Sequence, residues 1–400
     1  MVSMDVLMLG WEFPPLKSGG LGTYLYHFTR ELHKLGLSIS LITPYTGKDI
    51  SPGFVKILQA GPETEIIGIK STLMPYATPL PATVLSTTTG LKQPYGWNLF
   101  EEVSYYTARA IEIGKKLQFK AIHCHDWMTF PAGIELKSIT GKPLIATIHS
   151  TEFDRTGQLY PNEWIAGIEK TGLQAADKII TVSNFMKTQI VEKYSIPPEK
   201  ITVVYNAIDL SHYSKKPHLN KPNEKIVLFV GRLTIQKGCP FFLEAAKKVL
   251  EFEPNARFII VGSGDMLGEM IQKSIDLGIS SNVTFTGFEE NVSDYYSIAD
   301  VFVMPSVSEP FGLTALEAMA CMAPVIVSKQ SGVSEVLRNV LKVDFWDVHE
   351  LANKIIGVLC YEAVRSELQE KGFSEIQRFR NWGDVARETA KVYNEAYNGV

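Results

Sequence analysis

The sequence predicts an α/β protein built from two doubly wound domains, each with a parallel sheet covered by helices. Its 400 residues exceed what one hydrophobic core usually supports, so two domains are expected. Short β-branched runs alternate with helical patterns, which is typical of βαβ units and parallel sheets. The alternation stops at Ser211–Lys225, a segment rich in Lys, Pro and Asn, and then starts again.

The first half of the chain opens with a strand, a helix and a second strand. DVLMLG starts at Asp5, apolar residues recur at helical spacing from Leu21 to Leu32, and SISLITPY starts at Ser38. Later strand candidates are KAIHCHD, PLIATIHS and DKIITVS, and a helix with Ser183 or Asn184 as its cap follows the last of them. Residues 61–97 are rich in Pro and Thr and poorly periodic, which is typical of a functional loop; their composition assigns them no role.

The second half repeats the alternation from IVLFVGR onward. The strand candidates are IVLFVGR, RFIIVGSG, VTFTGF, VFVMPS and PVIVS, and the helix candidates include FFLEAAKKVLEF, DYYSIA and LTALEAMA. We predict a first domain at residues 1–212, a linker at 213–224, a second domain at 225–376 and a last helical segment at 377–400. Ligands of such sheets bind outside the carboxyl ends of the strands, so the strand-to-helix turns are the places to look for chemistry.

The bulk composition argues against nucleic acid as a partner. The chain has 39 basic and 43 acidic residues, a net charge of -4, which gives no general attraction to nucleic acid or to an anionic membrane. No stretch has the length of a membrane span, and Asp5 and Glu12 interrupt the only apolar run that resembles a signal peptide. The four scattered cysteines are typical of reduced thiols. We therefore expect a cytoplasmic protein, and leave peripheral membrane contact and the oligomeric state open.

The first glycine-rich turn contains Gly19, Gly20 and Gly22. Glycines at a helix entrance allow an anion to approach the backbone N–H groups, and they equally serve a tight turn. A dinucleotide fingerprint requires a third glycine where Leu25 stands. The turn is therefore weak evidence for a nicotinamide or flavin cofactor.

Two cations follow the first strand of the second half. Arg232 comes directly after the strand and Lys237 precedes the next helix, an arrangement that suits a phosphate or diphosphate. Two solvated surface charges are the alternative interpretation. Gly262 and Gly264 follow the next strand, and they are compatible with a nucleotide base or with a plain turn.

Histidines end two strands of the first half. His123, His125 and Asp126 lie in HCHDWM, and His149 ends TIHS. A zinc site is not supported because further ligands at suitable spacing are missing. His125 and His149 as functional polar groups, or as ordinary buried histidines, are equally compatible with the sequence.

Two acidic residues flank a helix start in EPFGLTALEAMA. Glu309 lies just before the helix and Glu317 about one turn inside it, while the neighbouring strands are apolar. A capping acid and an exposed acid would be the structural explanation. A buried carboxylate, however, is costly unless it is paired or hydrogen-bonded, for example to a sugar hydroxyl.

Together these turns resemble the retaining GT-B glycosyltransferases, close to glycosyltransferase family four and its glycogen and starch synthase relatives. The matching segments are Lys17-Ser18-Gly19-Gly20-Leu21-Gly22, His125-Asp126-Trp127, Gly231-Arg232-Leu233, Lys237-Gly238 and Glu309-Pro310-Phe311-Gly312-Leu313 with Glu317. The resemblance implies two Rossmann-like domains that face a cleft and a C-terminal helix, Trp382–Tyr397, that crosses back to the first domain. It also implies transfer of a hexose, with glucose as the leading candidate, from a nucleoside diphosphate sugar to a carbohydrate or glycolipid acceptor.

The resemblance also implies roles for individual residues. His125, Glu309, Arg232 and Lys237 would be catalytic, with His125 and Glu309 on the donor sugar and the two cations on the diphosphate. The residues implied to bind the nucleotide sugar are Lys17, Gly19, Gly20, Gly262, Gly264, Phe311, Gly312, Leu313 and Glu317. Among them, Lys17 and Gly20 would contact the diphosphate and Glu317 the ribose hydroxyls.

No metal and no cofactor besides the donor substrate are expected. Metal-dependent glycosyltransferases commonly hold a cation with Asp-x-Asp, a motif that does not occur in this sequence. Glucan synthesis is one candidate, and transfer of glucose or mannose to a small sugar, a phosphosugar or a lipid stays open. A nucleotide-dependent oxidoreductase and a non-catalytic nucleotide-sugar-binding protein are the alternatives from other classes.

Overall fold

The computed structural model describes residues 5–14, 20–44, 52–59, 99–213 and 224–398. The strands are β1 (Asp5–Leu9), β2 (Ser38–Thr43), β3 (Lys56–Gln59), β4 (Ala121–His125), β5 (Leu144–Ile148), β6 (Lys178–Thr181), β7 (Ile201–Val203), β8 (Ile226–Val230), β9 (Arg257–Val261), β10 (Val283–Gly287), β11 (Val301–Met304), β12 (Val325–Ser328) and β13 (Leu341–Val343). The helices are α1 (Gly20–Lys34), α2 (Leu99–Gly114), α3 (Phe130–Thr140), α4 (Glu152–Arg155), α5 (Glu163–Ala175), α6 (Asn184–Tyr194), α7 (Cys239–Leu250), α8 (Leu267–Asp276), α9 (Ser293–Ile298), α10 (Leu313–Ala320), α11 (Val333–Val336), α12 (Val348–Cys360), α13 (Glu362–Gln377) and α14 (Trp382–Asn398).

The strands form two parallel sheets with the same winding. The first has seven strands in the order β3-β2-β1-β4-β5-β6-β7, and the second has six in the order β10-β9-β8-β11-β12-β13. In each sheet the chain reverses its direction of growth between two central strands, β1 and β4 in the first and β8 and β11 in the second. Ligands of doubly wound sheets bind beside that reversal. The predicted fold class is thus confirmed.

The local sequence patterns explain most of these elements. Leu21, Tyr24, Leu25, Phe28 and Leu32 form the buried stripe of α1, as their helical spacing predicts. The Ser183 side chain accepts a hydrogen bond from the Met186 N–H and caps α6. The sequence patterns did not predict β3, β7 and β13, which have only three or four residues. Pairing with a neighbouring strand, rather than periodicity, defines such short strands.

The C-terminal helix α14 returns to the first domain. It packs against α1 and against strands β4, β5 and β6. Tyr393 is completely buried there, and its hydroxyl lies 2.6 Å from His123 Nδ1. The second domain is therefore joined to the first both by the chain near residue 213 and by α14, as the resemblance implies.

The domain boundaries stay predictions. The last strand of the first sheet ends at Val203, and the first strand of the second begins at Ile226. Most of the predicted linker at 213–224, and all of the predicted loop at 61–97, fall outside the described residues.

The four cysteines are free thiols, and three of them are buried. No helix in the described part of the chain combines the length and the apolar character needed to cross a bilayer.

We predict that Tyr393→Phe weakens the attachment of α14. The substitution leaves the buried Nδ1 of His123 without its hydroxyl partner, which costs about 1–3 kcal/mol. Urea unfolding followed by circular dichroism will measure this as a lower midpoint for the first transition. Tyr397→Phe on the same helix is the matched control, because Tyr397 is exposed. Equal midpoints for the two variants would contradict this role of Tyr393.

Candidate active site

The predicted site residues lie at the ends of four strands, β1 and β4 in the first sheet and β8 and β11 in the second. These are the strands between which each sheet reverses its direction of growth. Gly20 comes after β1, His125 ends β4, Arg232 comes after β8 and Glu309 comes after β11. The carboxyl ends of parallel strands lie at one edge of a sheet, so each domain collects its candidates at that edge. Lys17 and Gly19 lie outside the described residues.

Two helix starts, one from each domain, lie close together. Gly20 begins α1 in the first domain, and Leu313 begins α10 in the second. A Cβ placed on Gly20 would lie 3.9 Å from Leu313 Cδ1, so the two turns are in close proximity. Helix starts carry unpaired backbone N–H groups and partial positive charge. An anion between them would be favoured by both helices.

Backbone packing fixes the entrance of α10. Gly312 has φ 111°, which favours glycine, and a Cβ there would lie 2.8 Å from Met304 Cε. Phe311 beside it is 2% exposed, and its ring centroid lies 6.2 Å from that of Tyr205 in the first domain. The segment therefore packs between the two domains and has little freedom.

Lys237 and Glu309 form an ion pair. Lys237 Nζ lies 2.7 Å from Glu309 Oε2, and the Ser306 hydroxyl donates to the same oxygen at 3.1 Å. The backbone of Glu309 is held on both sides, because its N–H donates to the Gln330 carbonyl and its carbonyl accepts from the Gly332 N–H. The sequence predicted both residues for the site but did not predict that they pair.

The turn that carries Arg232 is packed against a second glycine-containing turn. Gly262 has φ 134°, and a Cβ there would lie 2.0 Å from the Gly231 carbonyl oxygen. A Cβ on Gly264 would lie 2.3 Å from the Leu233 carbonyl oxygen. Backbone packing therefore requires both glycines, whatever ligand binds. Arg232 itself is partly buried.

Glu317 accepts hydrogen bonds from two tyrosines. The hydroxyl of Tyr213 donates to Oε1 at 2.9 Å and the hydroxyl of Tyr296 donates to Oε2, also at 2.9 Å. Burial raises the pKa of the Glu317 carboxyl, and the two hydroxyl contacts partly oppose that rise. Two tyrosine hydroxyls of the protein therefore already provide Glu317 with the kind of partner that a buried carboxylate needs. Binding of ribose hydroxyls by Glu317 stays a prediction.

Three histidines lie together behind the first-domain edge. His125 is completely buried, with Nδ1 3.1 Å from His149 Nε2, and its Nε2 has no hydrogen-bond partner among the described residues. Burial lowers the pKa of His123 and of His149 to about 3. His123 is satisfied by Tyr393 and Thr147, each at 2.6 Å, so its role is structural.

Asp126 fixes the path of the chain after β4. Its φ of 63° is unusual for a residue other than glycine, and such strain concentrates at functional sites. Oδ1 accepts from the His149 N–H at 2.7 Å, and burial raises the pKa of this carboxyl to about 6. Asp126 therefore positions the strand end that carries His149.

Contacts between the domains were not predicted from the sequence. Asp154 Oδ1 accepts from the Ser308 hydroxyl at 2.5 Å, and the Pro310 carbonyl accepts from the Ser183 hydroxyl at 2.7 Å. Glu335 accepts from the N–H groups of Asn184 and Phe185 at the start of α6. The local signals are the capping box Thr151 to Asp154 and the cap at Ser183, which indicate helix starts and not domain contacts.

Among the described residues, one group of three side chains lies close enough together to hold a metal ion, and it does not include the predicted site residues.

Two family models match consecutive parts of the chain. The model described as Glycosyltransferase Family 4 matches residues 18–212, and the model described as Glycosyl transferases group 1 matches residues 213–374. An uncharacterized glycosyltransferase of Methanocaldococcus jannaschii is 31% identical over 98% of this chain and 98% of its own length. A glycogen synthase of Mycobacterium tuberculosis is 24% identical over 99% of this chain and 96% of its own length.

Solved structures share the fold. The sucrose-phosphate synthase from Thermosynechococcus elongatus aligns with a TM-score of 0.78 and 23% identity, covering 99% of this chain and 100% of that one. Anabaena HepE in complex with UDP-glucose aligns with a TM-score of 0.72 and 17% identity, covering 98% and 100%. The two family models match the two halves of the chain, which correspond to the two parallel-sheet domains, and the relative from Methanocaldococcus jannaschii matches both halves. The chain belongs to glycosyltransferase family 4, with the GT-B fold.

Proposed function

We propose that this glycosyltransferase transfers a hexose, glucose as the leading candidate, from a nucleoside diphosphate sugar to a carbohydrate acceptor, with retention of the anomeric configuration. The observation that carries the proposal is the approach of the α1 start at Gly20 to the α10 start at Leu313, beside the Lys237–Glu309 pair. This is the arrangement expected for a diphosphate and an adjoining sugar.

The leaving diphosphate needs positive charge as the C1–O bond of the donor sugar breaks. Two helix starts and the cations Arg232 and Lys237 provide it in the proposed complex. An ammonium group has three donors, so Lys237 can contact a phosphate oxygen while it keeps its bond to Glu309. As the acceptor oxygen bonds to C1, the acceptor hydroxyl gives its proton to the diphosphate oxygen that leaves C1. We expect this step to need no metal ion.

The two acids are assigned to hydroxyl groups. A carboxylate that faced the diphosphate would be repelled by it, so each acid must point at hydroxyls. Glu309 follows β11 and pairs with a cation, which suits contact with sugar hydroxyls near C1. Glu317 already accepts two hydroxyl groups and has further lone pairs for those of the ribose. His125 is completely buried in this arrangement, so its proposed contact with the donor sugar, through the Nε2 that is unpaired among the described residues, requires the residues that cover it to move.

The proposed donor is UDP-glucose, with ADP- and GDP-glucose as the competing candidates. The support for uridine is the fold shared with HepE, whose structure holds UDP-glucose.

A glucan is the acceptor that we favour. Lys17 with Gly19 and Gly20, and His125 with Asp126 and Trp127, match the glycogen and starch synthases in the sequence. The match to the glycogen synthase of Mycobacterium tuberculosis also extends over nearly the whole chain.

The charge around Arg155 also favours a neutral acceptor. Arg155 follows Asp154, the residue that reaches Ser308 across the cleft. Its guanidinium donates to the carboxylates of Glu152 and Glu169, at 3.0 and 2.6 Å. Two carboxylates balance this buried cation, so an acceptor phosphate would have to compete with them. A neutral glucan has no such requirement.

An exposed aromatic loop borders the cleft on the first-domain side. Gln158 Nε2 lies 3.5 Å from Ser308 Oγ, and a Cβ on Gly157 would lie 3.4 Å from Ile235 in the second domain. Next to them Leu159 is 54% exposed and Tyr160 is 94% exposed with φ 46°. Strained, exposed aromatic residues at a cleft suit ligand contact. We assign Tyr160 to packing against an acceptor sugar ring.

Variants of the ion pair test the reaction itself. Lys237→Ala and Glu309→Gln should each lower kcat by about 10²–10³-fold, because each removes a group that acts on the reacting sugar or its leaving group. Release of nucleoside diphosphate from UDP-, ADP- and GDP-glucose, with a glucan present, will measure it. Lys329→Ala is the control, since Lys329 pairs with Asp344 at an exposed position.

Near-normal turnover in both variants would contradict the site. Donor binding without turnover in the wild-type protein, across a broad acceptor panel, would favour a non-catalytic binding protein.

The ribose contact of Glu317 has its own test. Glu317→Gln should weaken binding of UDP about tenfold or more, because it removes a charge-assisted hydrogen bond. The same variant should bind 2′-deoxy-UDP and UDP more nearly alike than the wild-type protein does. Isothermal titration will measure both, with Glu395→Gln at an exposed pair as the control. Unchanged preference for the ribose form would overturn the assignment.

The acceptor surface is tested at Tyr160. Tyr160→Ala should raise KM for a glucan about three- to tenfold, and leave KM for the donor unchanged, because the side chain contacts only the acceptor. Steady-state kinetics with a maltooligosaccharide series will measure it. Tyr361→Ala is the control, since Tyr361 is also exposed but lies in the second domain at the end of α12. A change confined to the donor KM would refute the assignment.

A further inference from the structure

A histidine, an aspartate and a second histidine come together beside the junction of the two domains. His27 lies on α1, while Asp209 and His212 lie at the 3₁₀ turn Leu210–His212. One ligand atom from each of the three lies within 4.8 Å of the other two. The three residues come from two distant segments, so their spacing in the sequence does not predict a metal site.

The His27 ring has a polar atom without a partner. His27 is 6% exposed, and its Nδ1 makes no hydrogen bond within the described residues. The ring stacks on Trp382 at 5.5 Å with an interplanar angle of 12°, which fixes its orientation. An unpaired buried nitrogen is unfavourable, and native structures seldom contain one without a reason.

Asp209 presents its second carboxylate oxygen, Oδ2, to that nitrogen. Oδ1 accepts from the N–H and the hydroxyl of Ser211, at 3.1 and 2.6 Å. Oδ2 lies 3.5 Å from His27 Nδ1, which is too long for a good hydrogen bond. Ligand atoms in a tetrahedral zinc site, each about 2.0–2.2 Å from the ion, lie about 3.3–3.5 Å apart. The separation of 3.5 Å therefore fits two ligands of one ion.

We propose that His27, Asp209 and His212 bind one divalent transition-metal ion, with Zn²⁺ as the best fit to two imidazoles and a carboxylate. His212 is exposed, so its ring can rotate onto the ion, and water completes the coordination. The Arg30 guanidinium lies 3.8 Å from Asp209 Oδ2; its side chain is one-third exposed and can turn to solvent. The site goes beyond the proposed transfer reaction, and no step of that reaction passes through the ion.

The position of the site indicates what the ion does. Tyr213, the residue after His212, donates to Glu317 of the second domain. Trp382, which covers His27, begins the helix that returns from the second domain. An ion here ties α1 to the segment that leads out of the first domain, beside the start of the helix that returns to it. It stabilises the junction and holds the segment that carries Tyr213.

The test uses the untagged full-length protein after treatment with EDTA and buffer exchange. Isothermal titration with Zn²⁺ and visible absorption of Co²⁺ should give one ion per wild-type chain, with a tetrahedral Co²⁺ spectrum. His27→Ala, Asp209→Asn and His212→Ala should each weaken binding about tenfold or more. Zn²⁺ should raise the melting temperature of the wild-type protein and raise it less in the variants.

His33→Ala provides the control, because His33 is an exposed histidine on the same helix. It should bind Zn²⁺ as the wild-type protein does. His212→Ala keeps the test informative if His27→Ala fails to fold, since His212 is at the surface. Absence of stoichiometric binding by the wild-type protein, or equal affinity in His212→Ala and His33→Ala, would overturn the proposal.

Discussion

The loop that carries Glu309 is held by both domains, and the geometry of the cleft depends on this. Ser308 donates to Asp154 at 2.5 Å, and the Pro310 carbonyl accepts from Ser183 at 2.7 Å, so first-domain side chains hold both neighbours of Glu309. Second-domain backbone bonds hold Glu309 itself. Neither domain alone therefore fixes the position of this carboxylate. The position of the Glu309 carboxylate therefore depends on how the two sheets are arranged.

The two acids of the site are stabilised in different ways. Glu309 has a cation partner in Lys237, so its charge is balanced within the protein. Glu317 accepts from the hydroxyls of Tyr213 and Tyr296, which stabilise a carboxylate without neutralising it, and burial raises its pKa. A buried acid is tolerated when it is paired or fully hydrogen-bonded. Both acids thus suit contact with hydroxyls, and the Lys237 partner allows Glu309 in addition to lie close to an anion.

The sequence predicted what local patterns determine, namely the order of the long strands, the glycine turns and the helix starts. It did not predict contacts between residues far apart in the chain. Asp154 and Ser308 are 154 positions apart, and Tyr213 and Glu317 are 104 apart, and no periodicity connects such pairs. Sequence patterns also failed to predict β13, because this strand has only three residues and is defined by its pairing with β12. Candidate site residues could be proposed from the sequence one at a time, but the partners that the structure gives them could not.

The contacts between the domains also bear on how a donor enters. Separation of the sheets would break the Asp154–Ser308 and Ser183–Pro310 bonds and remove Glu335 from the start of α6. Water would replace these partners, so the Ser183–Pro310 bond adds only about 0.5–1.5 kcal/mol to the closed arrangement, and a bond to a carboxylate adds about 1.5–3 kcal/mol. A few such bonds hold the cleft closed without preventing it from opening. Because Glu309 lies between two of the bonded residues, opening the cleft also releases the carboxylate assigned to the donor sugar.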